Sequence, residues 1–162
     1  MKRYLRYLHP RNFARGVRNR FFFALARPLA FYLAHVPVFW GDSSRIIVGK
    51  NATLANTVFN CRSGKIIIED NVFFGHNCLV LTGRHDFRLK DEGRILTVPE
   101  EGYDIIIRRG AWVASAVTVI GPCEIGEHAV VVAGTVVREN VPPGVIYGGS
   151  PAKVIGPIRF TE

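Results

Sequence analysis

Acidic side chains are missing from the first forty residues of this 162-residue chain. That stretch carries eight Lys and Arg side chains, whereas residues 41–162 balance 13 basic against 13 acidic side chains. The formal charge of +8 therefore lies wholly at the N-terminal end and says nothing about the region that follows. A nucleic-acid-binding role is not indicated, because no recognised reading module accompanies the charge.

Cysteine is also scarce, with three widely spaced residues, Cys61, Cys78 and Cys123, and no C-x-x-C pair. This pattern argues against a disulfide framework and a zinc ribbon, and it favours a reducing compartment. The N-terminus is not a convincing signal peptide, because its first apolar run begins only at Phe21 and no clear cleavage site follows. We therefore expect a cytoplasmic protein.

A strict six-residue repeat begins at Ile107. The β-branched apolar series consists of Ile107, Val113, Val119, Ile125, Val131 and Val137. Four places after each member lies a second, small or β-branched series: Ala111, Val117, Cys123, Ala129, Thr135 and Val141. A helix of period 3.6 would rotate these positions off a single face, and one strand of this length would be abnormal. The repeat predicts an all-β solenoid with three short strands per coil.

The same register continues upstream through Val48 and Leu54, and again through Ile68, Phe74 and Val80. The spacing predicts a degenerate repeat at Asn60 and a two-residue insertion near 61–64. It also predicts that residues 84–104 leave the coil as an excursion. We expect about twelve repeats in four coils, with an N-terminal helical segment at 1–40, the solenoid at 41–157 and a tail at 158–162.

Residues 110–155 resemble the C-terminal coils of the hexapeptide-repeat acyltransferases, particularly the maltose, galactoside and xenobiotic acetyltransferases. The most specific matches are WVAS at 112–115, VPPG at 141–144 and GSPAK at 149–153. The resemblance covers roughly residues 46–157. It implies a left-handed parallel β-helix, a homotrimer with active sites between subunits, and acetyl-CoA as acyl donor with no metal required.

The resemblance also implies roles for individual residues. His85, where the excursion leaves the coil, matches the family's catalytic histidine, and imidazole titrates near neutral pH as a general base must. Ser115 matches the position whose backbone N–H faces the thioester carbonyl, which makes it the oxyanion candidate. Trp112 matches a residue that lines the cleft. Asp86 is not assigned as the orienting carboxylate, because neighbouring side chains of an extended segment point apart.

Other matched positions are expected to hold coenzyme A through backbone groups beside small side chains or through basic side chains. These positions are Ala114, Ala133, Gly134, Lys153 and Arg159, and Arg138 is the candidate to substitute for the basic residue that the family has next to it. The chain departs from the family at Arg138-Glu139, where relatives often have Thr-Lys, and Glu139 cannot hold a phosphate. Asn56 and Asn60, on an early corner, are candidates for binding acceptor hydroxyls.

The apolar run at 21–40 is long enough to cross a bilayer but is interrupted by Arg27, Pro28 and Pro37. Pro28 is expected to break or kink a helix. A pair of basic amphipathic helices on the inner face of an anionic membrane fits this composition best. A cap over the open end of the solenoid and a true span remain alternatives.

The leading hypothesis is an acetyl-CoA-dependent O-acetyltransferase acting on a sugar hydroxyl, for example of a polysaccharide or glycolipid precursor. An N-acetyltransferase of an amino sugar or antibiotic and a non-catalytic trimeric scaffold are the alternatives. A γ-type carbonic anhydrase is disfavoured, because His76, His85 and His128 lack the H-x-x-x-x-H spacing of its metal ligands.

Overall fold

The computed structural model describes residues 24, 26, 28, 29, 31, 32 and 35–161. The chain divides into two units between His35 and Val36. In the first unit, the six described residues before His35 are all helical, and Pro28 is one of them. Most of the predicted segment 1–40 lies outside the described residues, so the predicted pair of helices is not tested. None of the described helices has the length and apolar content needed to span a bilayer.

The second unit is built almost entirely from short strands. In chain order they are β1 (Val38–Trp40), β2 (Ile46–Val48), β3 (Val58–Asn60), β4 (Ile66–Ile68), β5 (Phe73–Phe74), β6 (Leu79–Leu81), β7 (Ile105–Ile107), β8 (Trp112–Val113), β9 (Thr118–Ile120), β10 (Cys123–Ile125), β11 (Val130–Val131), β12 (Val136–Val137), β13 (Val145–Gly149) and β14 (Ala152–Pro157). A 3-10 turn spans Ser43–Arg45, and one helix, α1, spans Asp91–Leu96.

From β4 to β12, each coil contributes one strand to each of three sheets, and in the coil before β4 an isolated bridge from Thr53 to Phe73 takes the place of the second strand. Sheet 1 has the order β10-β7-β4-β2, sheet 2 the order β14-β13-β11-β8-β5, and sheet 3 the order β1-β3-β6-β9-β12. All neighbours pair in parallel except β13 and β14, which form an antiparallel hairpin at the C-terminal end. From β1 to β13, successive strands of the chain thus lie in different sheets, as the solenoid prediction requires.

The core lies inside the coils and follows the predicted repeat. Every member of the series from Ile107 to Val137 is fully buried, and the second series from Ala111 to Val141 is at most 6% exposed. Their removal from water is the main favourable term that holds the coils together. The predicted periodic core is confirmed from Ile107 onward.

The register upstream differs from the prediction at one repeat. Phe59 is fully buried and pairs with Val80, whereas Asn60 pairs with Leu81 on the outer face. The inward position is therefore Phe59, so the predicted repeat at Asn60 was wrong by one residue. The spacing shortens to five residues after Leu54 and lengthens to nine before Ile68, because the chain makes a wider corner between β3 and β4.

The solenoid also begins earlier than the predicted boundary at residue 41. Strand β1 pairs with β3 through Val38 and Val58, and Phe39 stacks on Phe59 with ring centroids 5.5 Å apart. Strand β1 thus adds one strand to sheet 3, and the stacking of Phe39 on Phe59 stabilises this addition. The excursion between β6 and β7 carries α1.

Candidate active site

His85 lies at the start of the excursion, four residues after β6 ends. Its Nδ1 atom lies 2.8 Å from the backbone carbonyl oxygen of Arg94, near the end of α1. A carbonyl oxygen only accepts hydrogen bonds, so this contact places the ring proton of the neutral imidazole on Nδ1. Nε2 then carries the lone pair. The excursion thereby orients a histidine whose outer nitrogen can accept a proton.

A cavity of about 310 Å³ surrounds His85. Residues of the excursion form its walls: Arg84, His85, Asp86, Phe87, Arg88, Pro99 and Tyr103. Its size lies at the lower end of the usual range for small-molecule sites. The cavity therefore joins a candidate proton acceptor to a surface with both aromatic and charged side chains.

Asp86 does not orient His85. Its carboxylate accepts two hydrogen bonds from the guanidinium of Arg88, at 2.8 and 2.7 Å, and one from the backbone N–H of Arg88. The side-chain hydrogen bond from Arg88 is the main cause that lowers the pKa of Asp86 to about 2. The pair is thus charged and mutually satisfied at neutral pH, in agreement with the sequence analysis.

Ser115 lies at the corner between β8 and β9. Its hydroxyl oxygen accepts a hydrogen bond from the backbone N–H of His76 at 3.1 Å, one coil earlier. The two coils approach so closely that a Cβ atom at Gly75 would lie 2.4 Å from the Ser115 nitrogen. Glycine at position 75 is therefore required to bring Ser115 against the preceding coil.

The residue above Ser115 in the next coil offers no side-chain acceptor to the backbone N–H of Ser115. At two corners, the side chain two places after an inward position caps the backbone N–H of its counterpart one coil earlier: Asp70 caps Lys50, and Ser115 caps His76. The counterpart above Ser115 is Ala133, which has no acceptor. Within the described part of the chain, the Ser115 N–H donates to no acceptor. An open corner N–H is the type of donor that stabilises an oxyanion.

Two of the three positions expected to offer backbone groups to coenzyme A have their N–H groups committed to the fold. Ala114 donates to the carbonyl of Val131 at 3.0 Å, and Gly134 donates to the carbonyl of Ser115 at 3.0 Å. A Cβ at Gly134 would meet nothing within 4 Å, so the surface beside this residue is open. Ala133 is exposed at the same corner. Ser115, Ala133 and Gly134 are thus brought together.

Trp112 lies on the outer face of sheet 2, three residues before Ser115. Its ring stacks on Phe73 with centroids 5.5 Å apart and an interplanar angle of 16°. The side chain remains 42% exposed. The indole therefore forms an apolar surface next to the corner at Ser115.

The basic residues predicted to contact phosphates are Arg138, Lys153 and Arg159, and all three are exposed. None of them forms an ion pair with a described carboxylate. Glu139, the departure from the family pattern, instead accepts a hydrogen bond from the hydroxyl of Tyr147 at 2.9 Å. Burial, followed by this bond to Glu139, raises the pKa of Tyr147 to about 12. Glu139 thus has a structural partner.

The two candidate acceptor-binding asparagines have different surroundings. The Asn56 carboxamide donates to Asn77 Oδ1 at 2.7 Å and accepts from the Asn77 N–H at 2.7 Å, which uses both of its polar atoms. The Asn60 side-chain oxygen accepts from the Arg62 N–H, and its carboxamide packs against Gly83, two residues before His85. Neither residue lines the cavity around His85.

His85 and Ser115 flank the same sheet at different corners of the solenoid. His85 follows β6 at the corner that leads from sheet 3 to sheet 1, and Ser115 precedes β9 at the corner that leads from sheet 2 to sheet 3. Ser115 and Trp112 do not line the cavity that holds His85. Within one chain, the two predicted catalytic groups therefore lie at separate corners.

Sequence reasoning missed three features of this region. The Arg94 carbonyl that orients His85 gives no side-chain signal. The stacking of Arg84 with Tyr103 joins the two ends of the excursion, which lie nineteen residues apart. The missing cap was detectable in principle, since Ser115 and Ala133 each follow an inward residue by two places and Ala133 has no side-chain acceptor.

Comparison with known proteins relates the chain to sugar acetyltransferases. It is 27% identical over 125 residues to the galactoside O-acetyltransferase of Escherichia coli, covering 76% of this chain and 59% of that protein. The crystal structure of a maltose O-acetyltransferase from Clostridium difficile 630 superposes with a TM-score of 0.62 and 28% identity, covering 75% of this chain and 64% of that one. A galactoside acetyltransferase in complex with coenzyme A gives a TM-score of 0.64 and 25% identity, covering 78% and 63%.

No family model matches the chain. The chain spans 62%, 44% and 59% of the length of three curated relatives that it matches. The structural neighbours are left-handed β-helices, which gives the solenoid its hand. The chain is therefore related to the maltose and galactoside acetyltransferases and shares the fold of the hexapeptide-repeat acetyltransferases, which confirms the resemblance predicted from residues 110–155.

Proposed function

We propose that this chain is an acetyl-CoA-dependent O-acetyltransferase that acts on a sugar hydroxyl, with His85 as general base. The observation that carries the proposal is the hydrogen bond from Nδ1 of His85 to the carbonyl oxygen of Arg94. This bond fixes the tautomer and leaves Nε2 to accept a proton in a cavity of suitable size for a small molecule. The relatives named as sugar O-acetyltransferases support the choice of substrate class.

The proposed reaction is a direct transfer without a covalent enzyme intermediate. Nε2 of His85 removes the proton of the acceptor hydroxyl while its oxygen attacks the thioester carbonyl carbon. The N–H of Ser115 donates to the oxyanion that forms. Collapse of this intermediate breaks the carbon–sulfur bond, and the imidazolium of His85 returns its proton to the departing thiolate.

Coenzyme A is proposed to bind at the corner formed by Ser115, Ala133 and Gly134. The open surface beside Gly134 and the small side chain at 133 allow an extended pantetheine arm to approach the backbone. Trp112 borders this corner on sheet 2. The basic residues Arg138, Lys153 and Arg159 are proposed to meet the phosphates, since guanidinium and ammonium groups bind them well. The neighbour in complex with coenzyme A supports coenzyme A as the ligand.

A homotrimer is proposed to bring the two catalytic corners together. The outer face of sheet 3, which lies between these corners, carries five exposed apolar side chains: Val38, Trp40, Leu79, Ile120 and Val136. A second copy that packs against this face removes the apolar side chains from water and places its own corner beside the cavity of the first. Each site then takes His85 from one protomer and Ser115 from the next.

Association with an anionic membrane is proposed for the N-terminal unit. Its basic composition motivates the proposal, and Leu29, Phe31 and Tyr32 are each more than half exposed on helical backbone. Each basic residue near such a surface contributes about 1 kcal/mol. Sedimentation with vesicles containing phosphatidylserine tests this role. The proposal predicts salt-sensitive binding that removal of residues 1–34 abolishes.

Acetyl transfer itself is tested by release of free coenzyme A thiol from acetyl-CoA in the presence of galactosides, maltose and glucosamine. O-acetylated sugar, identified by mass spectrometry and by its lability to mild base, is the expected product. An N-acetylated amino sugar as the sole product would replace the O-acetyltransferase assignment. Absence of both turnover and thermal stabilisation by coenzyme A would favour a scaffold role.

A further inference from the structure

The cavity around His85 contains the guanidinium of Arg84. Aromatic rings hold this group in place, and its N–H donors have no acceptor among the described residues. The Arg84 guanidinium carbon lies 5.4 Å from the ring centroid of Phe87 and 5.4 Å from that of Tyr103. Two aromatic rings thus fix this cation through cation–π contacts. Of the described residues, none accepts a hydrogen bond from the Arg84 guanidinium or pairs with it as a carboxylate.

Arg84 accounts for the net positive charge of the same cavity. Asp86 is the only carboxylate among the described residues that line it, and the two-point contact with Arg88 neutralises this group. An anion entering the cavity therefore meets one uncompensated positive charge and no uncompensated negative charge.

From this arrangement we propose that the acceptor sugar carries an anionic group, a carboxylate or a phosphate, which Arg84 binds while His85 takes the proton of a hydroxyl. A guanidinium stacked on aromatic rings keeps its edge free, and that edge donates two parallel hydrogen bonds to a carboxylate or phosphate. The exposed ring of Phe87 and that of Tyr103 offer apolar faces beside the sugar ring. This inference rests on the proposed acetyl transfer and names the acceptor class of the same site.

The test compares three acceptors that share one ring: glucose as the neutral sugar, glucuronate as the carboxylate and glucose 1-phosphate as the phosphate. We expect kcat/KM for at least one anionic sugar to exceed that for glucose by about 10- to 100-fold. Arg84→Met removes this preference through a higher KM for the anionic sugar. Arg84→Lys, which keeps the charge but not the fork, retains part of it. Arg62→Met is the matched control, because Arg62 is exposed and lies outside the cavity.

The outcomes separate this inference from the proposed function. Transfer to glucose and to the anionic sugars with equal kcat/KM, unaffected by Arg84→Met, overturns the role of Arg84 and leaves acetyl transfer intact. Absence of transfer to every sugar counts against the proposed function. In that case, calorimetric titration of the three sugars still decides the role of Arg84, since it predicts binding of an anionic sugar that Arg84→Met weakens about 10-fold or more. Equal binding by both proteins contradicts it.

Discussion

Ser115 uses its side chain and its backbone for different purposes. The hydroxyl caps the His76 N–H of the preceding coil, whereas its own N–H lacks a cap because Ala133 follows in the next coil. A capping acceptor normally satisfies such a corner donor, since an unpaired polar group carries an energetic cost when buried. Alanine at position 133 thus leaves out a small stabilising contact and keeps the Ser115 N–H available as the proposed oxyanion donor.

Replacing Ala133 by Asn is expected to return a capping acceptor to the Ser115 N–H. Because the oxyanion then loses its donor, we expect kcat to fall by about 100-fold, with KM for acetyl-CoA less affected. Steady-state kinetics measure both values. Ala133→Leu is the matched control, since leucine has nearly the same size without an acceptor. An equal loss of kcat in the two variants would mean that bulk alone is responsible.

At a corner of the solenoid, the close approach of the neighbouring coil limits which residue can be accommodated. A Cβ at Gly75 meets the backbone and hydroxyl of Ser115 at 2.4 and 2.5 Å, whereas a Cβ at Gly156 meets nothing within 4 Å. We expect Gly75→Ala to destabilise the fold by about 1–3 kcal/mol and to lower kcat by displacing Ser115. Gly156→Ala is expected to change neither. Urea unfolding and kinetics of both variants check this, and a stable, fully active Gly75→Ala variant would contradict the observed packing.

A charged ladder joins three coils along the corner next to sheet 1. Arg108 donates to Glu69 in the coil before it and makes two hydrogen bonds to Glu124 in the coil after it. The side-chain hydrogen bond from Arg108 lowers the pKa of Glu124 below its ordinary 4.5. A carboxyl group whose pKa is lowered by folding contributes stability above its unfolded pKa and loses that contribution as the pH falls through the folded one.

The melting temperature is therefore expected to fall as the pH drops below 4.5, in part because Glu124 becomes protonated. Glu124→Gln, which cannot titrate, should show a decrease smaller by about 1–3 °C, because the pair is partly exposed to solvent. Thermal unfolding at pH 6 and pH 3 measures the difference between the two proteins. Identical decreases would show that the ladder does not contribute to acid sensitivity.

The repeat from Ile107 to Val137 was predictable because every sixth residue is fully buried, and burial imposes a strong constraint on residue type. The inward position of Phe59 was not predictable. The five residues from Leu54 to Phe59 and the nine from Phe59 to Ile68 add up to fourteen, which is also the length of two regular repeats with a two-residue insertion. Of the candidate site, Ser115 was assigned by resemblance alone, and His85 by resemblance together with the near-neutral titration of imidazole. Their surroundings depend on contacts between distant residues, such as Arg84 with Tyr103 and His85 with the Arg94 carbonyl, which have no period in the sequence.

At the scale of the whole molecule, the account requires each active site to combine residues from two protomers. We expect His85→Ala and Ala133→Asn chains, each nearly inactive alone, to regain activity when co-expressed and isolated as mixed assemblies through two different affinity tags. A ring of three with two kinds of chain contains one site in which both corners are intact, so about one third of the wild-type rate is expected. Mixed assemblies that stay as inactive as the parent variants would place the site within one chain.

The most direct measurement of the central claim is the rate of acetyl transfer by His85→Asn, compared with the wild-type protein at saturating acetyl-CoA and acceptor. The account predicts a loss of kcat of about 10²- to 10⁴-fold, with the affinity for coenzyme A and the melting temperature retained. A variant that transfers acetyl groups at the wild-type rate would contradict the assignment of His85 as the base.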